Sequence, residues 1–159
     1  MSTALVQMFP LKKILVATDV SENAKRAIEV ATILAKQCDS ELVILNVITA
    51  TVPPVYSGKG VAIPATDYYS NYFEQTERSA RKIVNEAVDK AKGEHVNARG
   101  AELRTMSSIP EAILKNASEE NVNLIVVGTR GLGGFKKLLL GSASSAVVVH
   151  AHCAVLVIR

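Results

Sequence analysis

Tryptophan is absent from the 159 residues, and seven aromatics make up only 4% of the chain. A core for this length must therefore come from aliphatic side chains, and at 48% hydrophobic the chain has enough of them. That richness excludes a disordered chain, which is poor in aliphatic residues. Two cysteines, Cys38 and Cys153, are too few for a disulfide framework and read as small buried hydrophobes rather than a redox pair. No apolar stretch approaches the roughly 18 residues that span a bilayer. Met1 to Leu11 lacks the signal-peptide order of charge, apolar run and cleavage site, so a reducing cytoplasm is the expected compartment, with no membrane partner. Blocks of like charge are missing too. The longest basic clusters are pairs such as Lys12-Lys13 and Lys136-Lys137, and 18 Lys+Arg against 15 Asp+Glu leave a net +3. Nothing here forms the basic stripe of a nucleic-acid binder.

The scarce residues are unevenly spread. Five of nine glycines (Gly128, Gly131, Gly133, Gly134 and Gly141) share one stretch, and five aromatics (Tyr56, Tyr68, Tyr69, Tyr72 and Phe73) share another. Around them runs an alternation of elements. Ile14 to Asp19 is a short apolar run ending in polar residues, and Glu41 to Ile48 is a second, apolar on both faces but for Asn46. Asn123 to Val127 and Ala154 to Ile158 are further buried-strand patterns, while Val96 to Met106, interrupted by Gly100, is the weakest. Between the strands, Ala24, Ala27, Ile28, Ala31, Leu34 and Ala35 mark one helix face behind an N-cap at Ser21. A long helix is predicted from Asp67 to Lys92 with Gly93 as its stop, and Tyr69, Tyr72 and Phe73 fall on its apolar stripe. Ser108, Pro110 and Glu111 form a capping box for a helix to Glu119, and Ser142 opens a last helix to His150. The order β-α-β-α-β-α-β-α-β predicts an α/β fold: a single-domain, open, five-stranded parallel sheet with helices on both faces. Two connections are long, 49–66 and 128–141. Such sheets bind ligands at the carboxyl ends of their strands, where Asp19 and both long loops lie.

The stretch from Gly128 to Ser145 follows a buried strand and feeds a helix start. Glycines let backbone N–H groups approach an anion, and the helix adds unpaired N–H groups and the positive end of its dipole. Ser142, Ser144 and Ser145 offer hydroxyls, and Arg130, Lys136 and Lys137 offer charge. A P-loop fails because Gly134 stands where its lysine belongs, and a dinucleotide fingerprint fails at Lys136. What holds is Gly, two residues, Gly, nine residues, Gly-Ser, at Gly128, Gly131, Gly141 and Ser142.

With this spacing the sequence resembles the ATP-binding branch of the universal stress protein family. The opening strand Lys13 to Thr18 with its acidic turn at Asp19, the second strand Val43 to Val47 and the closing stretch His150 to Arg159 match in character. The resemblance implies a Rossmann-like, adenine-nucleotide α-hydrolase-like fold holding ATP, with AMP or ADP as alternatives and Mg²⁺ or Mn²⁺ accompanying the phosphates. Asp19 would contact the ribose or adenine side, Ala17 and Thr18 would line the pocket, and Val47 would offer backbone groups to the adenine. Val127, Gly128, Gly131, Gly141, Ser142, Ala143 and Ser144 would hold ribose and phosphates. Three residues depart from frequent family choices: Ala17 and Ala154 for proline, and Ala143 for valine. A homodimer through the apolar closing strand, Ala154 to Ile158, is also implied, and such an edge needs covering.

The function expected is a nucleotide-dependent sensor or regulator in stress response, with an unidentified protein partner. Two alternatives stand beside it: a slow ATPase or phosphoryl-transfer enzyme on the same site, for which no catalytic residue can be named, and a nucleotide-free interaction module. Asp19 also has the simpler reading of a helix cap. His150 and His152, two apart, fall on different faces of a helix, which argues against a two-ligand metal site; a helix-terminal histidine near the carboxyl end of the dipole is the simpler account. Tyr56 has no assigned role.

Overall fold

The structure, a computed structural model, describes residues 10–19, 21–49, 66–129 and 140–159, with the helical stretch 66–72 described by its backbone alone. Tyr56, Gly131, Arg130, Lys136 and Lys137 therefore lie outside the described residues, as do the side chains of Tyr68, Tyr69 and Tyr72. Among the described residues, five strands alternate with four helices. They are β1 (Lys13–Thr18), α1 (Glu22–Cys38), β2 (Glu41–Thr49), α2 (Thr66–Gly93), β3 (Ala98–Thr105), α3 (Ile109–Glu119), β4 (Leu124–Gly128), α4 (Ser142–His150) and β5 (Ala154–Ile158). All pairings are parallel, in the order β3-β2-β1-β4-β5. The chain runs outward from β1 through β2 to β3, then crosses to β4 and β5 on the other side. Strand order thus reverses between β1 and β4, where such sheets open a crevice at their carboxyl ends.

Alternate residues of the central strands explain the layers. Ile14, Val16, Leu42, Ile44, Leu124 and Val126 face Ala27, Ile28, Ala31 and Ala35 of α1 and Val84, Val88 and Ala91 of α2. Leu15, Val43, Leu45, Ile125 and Val127 face Ile113 and Ala117 of α3 and Val147 of α4. A strand covered on both faces reads as an unbroken apolar run, which is why β2 and β4 stand out in the sequence. Phe73 of α2 is half-buried, and Cys153 packs against the second cluster, where burial pushes its thiol pKa up.

β3 hides in the sequence for two physical reasons. It is an edge strand, so its outer positions carry Arg99, Glu102 and Arg104, charges of the kind that protect an edge from wrong pairing. Its Gly100 lies under α2, where an added Cβ would come within 2.5 Å of Val84 Cγ1. The missing side chain admits the helix and does not break the strand.

Three helices end the same way, each by a non-glycine residue in the left-handed region. Asp39 (φ 53°), His95 (φ 65°) and Asn121 (φ 53°) follow α1, α2 and α3 and lead into β2, β3 and β4. Helix α2 runs through Gly93, and the turn expected there is made by His95. Asp39 donates its N–H to the Ala35 carbonyl, the usual closure of a left-handed cap.

The amino ends of the strands are tied by charge. Lys13 Nζ lies 3.0 Å from Glu120 and 3.3 Å from Glu41, while Arg99 Nε lies 2.7 Å from Glu41 and its Nη2 reaches Glu120. Hydrogen bonds from Arg99 hold both carboxyls below their ordinary 4.5, with Lys13 assisting. A carboxyl with a lowered folded pKa contributes stability above its unfolded value, and this is lost as pH falls through the folded value. Glu120→Gln should therefore cost about 1 kcal/mol at pH 7, at the upper end for a part-exposed pair because two cations lose a partner. In denaturant titrations its deficit from wild type should close as pH is taken below 4.5; a deficit unchanged at pH 3 would assign it to packing rather than charge.

Candidate functional site

At the carboxyl edge, β2, β1 and β4 end side by side. Thr18 pairs with Asn46 across β1 and β2, and Val16 with Val126 across β1 and β4. This brings together Ala17, Thr18, Asp19, Val47, Val127 and Gly128, residues far apart in sequence. Thr18 and Val127 are buried, whereas Ala17, Asp19, Val47 and Gly128 are half-buried at the rim.

Asp19 stands at the turn from β1 into α1. Its Oδ1 accepts the N–H of Ser21 at 3.1 Å, and Ser21 Oγ in turn accepts the Ala24 N–H, capping α1. The expected helix-capping service thus falls to Ser21, while Asp19 shapes the turn ahead of it. Beside that turn is a group whose role the sequence did not disclose. Asn46, only 5% exposed, donates from Nδ2 to the Thr18 carbonyl at 2.8 Å, and among the described residues its Oδ1 has no partner. Its one legible sign was that it is the single polar residue within the apolar run of β2.

On the other side of the crevice, the first turn of α4 is bound to the end of β4. Ser144, buried, donates its hydroxyl to the Gly128 carbonyl at 2.7 Å. Its hydroxyl proton is engaged there and is not on offer to a ligand. Thr129 donates to the Ile158 carbonyl at 2.7 Å and accepts from Gly141 N–H at 2.7 Å, which joins the end of β4, the end of β5 and the start of α4.

The helix starts differ in one respect. Ser21 caps α1 and Ser108 caps α3 through their side chains, but α4 begins at Gly141 with no side-chain cap. The first N–H groups of a helix have no acceptor within it. At the start of α4 these are the N–H groups of Ser142, Ala143 and Ser144, beside the end of β4, with Ser142 exposed and Ala143 half-buried. Gly141 has φ −71° and ψ 160°, a backbone any residue adopts, so its conformation does not call for glycine. Gly128 is closely approached instead: an added Cβ would lie 3.0 Å from the Cβ and carbonyl carbon of Asn23 and 3.1 Å from its oxygen, in the first turn of α1.

The histidines depart from expectation. Helix α4 ends at His150, Ala151 is extended, and His150 and His152 both line the groove between α3 and α4 together with Glu111 and Leu114. The helix ends at His150 as expected, and beyond it the extended chain brings His152 to the same groove. Among the described residues no group of three or more His, Cys, Asp or Glu side chains is arranged to hold a metal, and no helix is long and apolar enough to cross a membrane.

Comparison with known proteins agrees with this architecture. The model of the universal stress protein family matches residues 10–159. Universal stress protein YxiE of Bacillus subtilis is 33% identical, over 92% of this chain and 98% of that protein. Universal stress protein UspA from Lactobacillus plantarum superposes with a TM-score of 0.79 at 23% identity, over 94% of this chain and 98% of its own. A universal stress protein of Archaeoglobus fulgidus solved in complex with dAMP superposes with a TM-score of 0.66 at 18% identity, over 94% and 99%.

Proposed function

The chain belongs to the universal stress protein family, and from that premise we propose that it binds an adenine nucleotide, foremost ATP, and signals occupancy to a protein partner under stress. The site is the crevice at the carboxyl ends of β2, β1 and β4. The observation that carries this reading is the uncapped start of α4 beside β4, at a glycine whose backbone does not need to be glycine. A side chain at 141 would occupy the space an anion needs to reach the N–H groups of Ser142, Ala143 and Ser144. The nucleotide of the Archaeoglobus fulgidus relative supports the choice of ligand class.

In this reading the phosphates lie on that helix start and on Gly131, with the Ser142 hydroxyl as a further donor. Asp19 takes the ribose or adenine side, Ala17 and Thr18 line the base of the pocket, and Val47 presents backbone groups to the adenine. Val127 and Gly128 form the floor, Gly128 through its backbone, since its open side is filled by Asn23. Mg²⁺ or Mn²⁺ would be carried by the phosphates, because the described residues supply Asp19 but no cluster of ligands.

The two sheet edges support self-association at one of them. β3 carries Arg99, Glu102 and Arg104, whereas β5 is Ala-Val-Leu-Val-Ile without a charge. An apolar edge of that kind is covered by pairing with its twin across a two-fold axis.

Mass spectrometry of the small molecules released from denatured protein should find an adenine nucleotide. For protein stripped of ligand, a Kd of ~1 μM would raise stability by roughly 2.7 kcal/mol at 100 μM ATP, a shift in Tm of roughly 5–10 °C. Absence of both released nucleotide and thermal shift would leave a nucleotide-free interaction module.

A further inference from the structure

Asn46 is polar, buried to 95% of its surface, and only half satisfied: Nδ2 donates to the Thr18 carbonyl at 2.8 Å, while Oδ1 has no partner among the described residues. The assignment of the two amide atoms is fixed by chemistry, because a carbonyl only accepts and must face Nδ2. Burying an amide with one unpaired acceptor costs free energy, and an aliphatic side chain would suit a position flanked by Leu45 and Val47 on a strand packed on both faces. Stability does not account for asparagine here, but its contact does. The Thr18 carbonyl and the Asp19 N–H belong to one planar peptide unit, so a bond to the first fixes the orientation of the second. Thr18 and Asn46 form the last paired rung of β1 and β2. Among the described residues the β1–β2 pairing ends there, and Asp19 continues into the turn, its Oδ1 accepting the N–H of Ser21.

We propose that Asn46 is a positioning residue: it locks the Thr18–Asp19 peptide and thereby sets the Asp19 carboxylate for the ribose or base of a bound purine nucleotide. This rests on the nucleotide reading given above. Asn46 touches no ligand itself. It acts from beneath, at the price of its own unpaired oxygen.

The test is a double-mutant cycle with ATP as probe, read by calorimetry, on wild type, Asn46→Leu, Asp19→Ala and the double variant. Asn46→Leu should raise the Kd for ATP by ~10-fold, the loss of about one well-made hydrogen bond, while the Tm of the nucleotide-free protein is unchanged or higher. In the Asp19→Ala background the same substitution should change Kd by less than ~2-fold, because the group it positions is gone. Asn46→Thr, strand-compatible but too short to reach the Thr18 carbonyl, should reproduce the loss. The proposal is overturned if Asn46→Leu binds ATP like wild type, if its effect is equal in both backgrounds, or if both Asn46 variants unfold well below wild type. Wild type that binds no ATP would instead overturn the nucleotide reading itself, and this proposal with it.

Discussion

Gly128→Ala is expected to lower the Tm of nucleotide-free protein by roughly 4–8 °C, about 2 kcal/mol for a chain of this size. The added methyl would meet Asn23 at 3.0 Å, and what it meets is largely main chain. A side chain in the way can rotate, but the first turn of α1 cannot, since Ser21 caps it and Ala24, Ala27 and Ile28 hold it in the core. The strand end must therefore retreat, against Ser144 on its carbonyl and the β5 pairing at its end. Overpacking of this type costs about 1–3 kcal/mol, and the rigidity of both sides argues for the upper half. Thermal unfolding without nucleotide is the measurement, since bound ligand adds its own stabilisation. An unchanged Tm would show that α1 can slide on β4, and that the close approach is slack.

The opposite pattern is expected at the other end of the loop. Gly141→Asp should leave the nucleotide-free Tm equal or slightly higher while weakening ATP binding ~100-fold, about 2.8 kcal/mol. The backbone at 141 accommodates any residue, and aspartate is among the best N-caps, better than glycine by a few tenths of a kcal/mol. Its carboxylate would take the N–H groups of the first turn and the favourable end of the helix dipole. A phosphate would then find the donors occupied and a like charge in their place. The two outcomes together would part the roles of two glycines in one motif: one for packing, the other for an incoming anion. Should Gly141→Asp retain wild-type affinity, the phosphates lie elsewhere.

That parting shows what local sequence can and cannot disclose. Helices α1 and α3 were legible from Ser21 and Ser108, because a cap acts on neighbours three residues away. β2 and β4 were legible because burial on both faces leaves only apolar residues. β3 was obscured by being an edge, where charge is useful, and by Gly100, whose partner Val84 belongs to a different element. At the site, Asp19 and the Gly141-Ser142 start could be placed from the chain order alone. The reason for Gly128 could not, because Asn23 is a hundred residues away in sequence and carries no mark of the contact. Asn46 was visible as an oddity, but its bond to Thr18 exists only once β1 and β2 are paired in register. The end of the last helix at His150 was legible, but the groove that His150 and His152 share with α3 was not, because it forms only when the two helices pack.

The hydrogen bond from Gly141 to Thr129 has one more consequence. The chain departs from the sheet at Thr129 and returns to it at Gly141, and the two points of departure and return are bonded to each other. The last residue of the strand end and the first of the helix start are thus held to each other directly. The entropic cost of closing a loop grows only with the logarithm of its length, so adding or removing residues between two ends held in this way should cost the fold little.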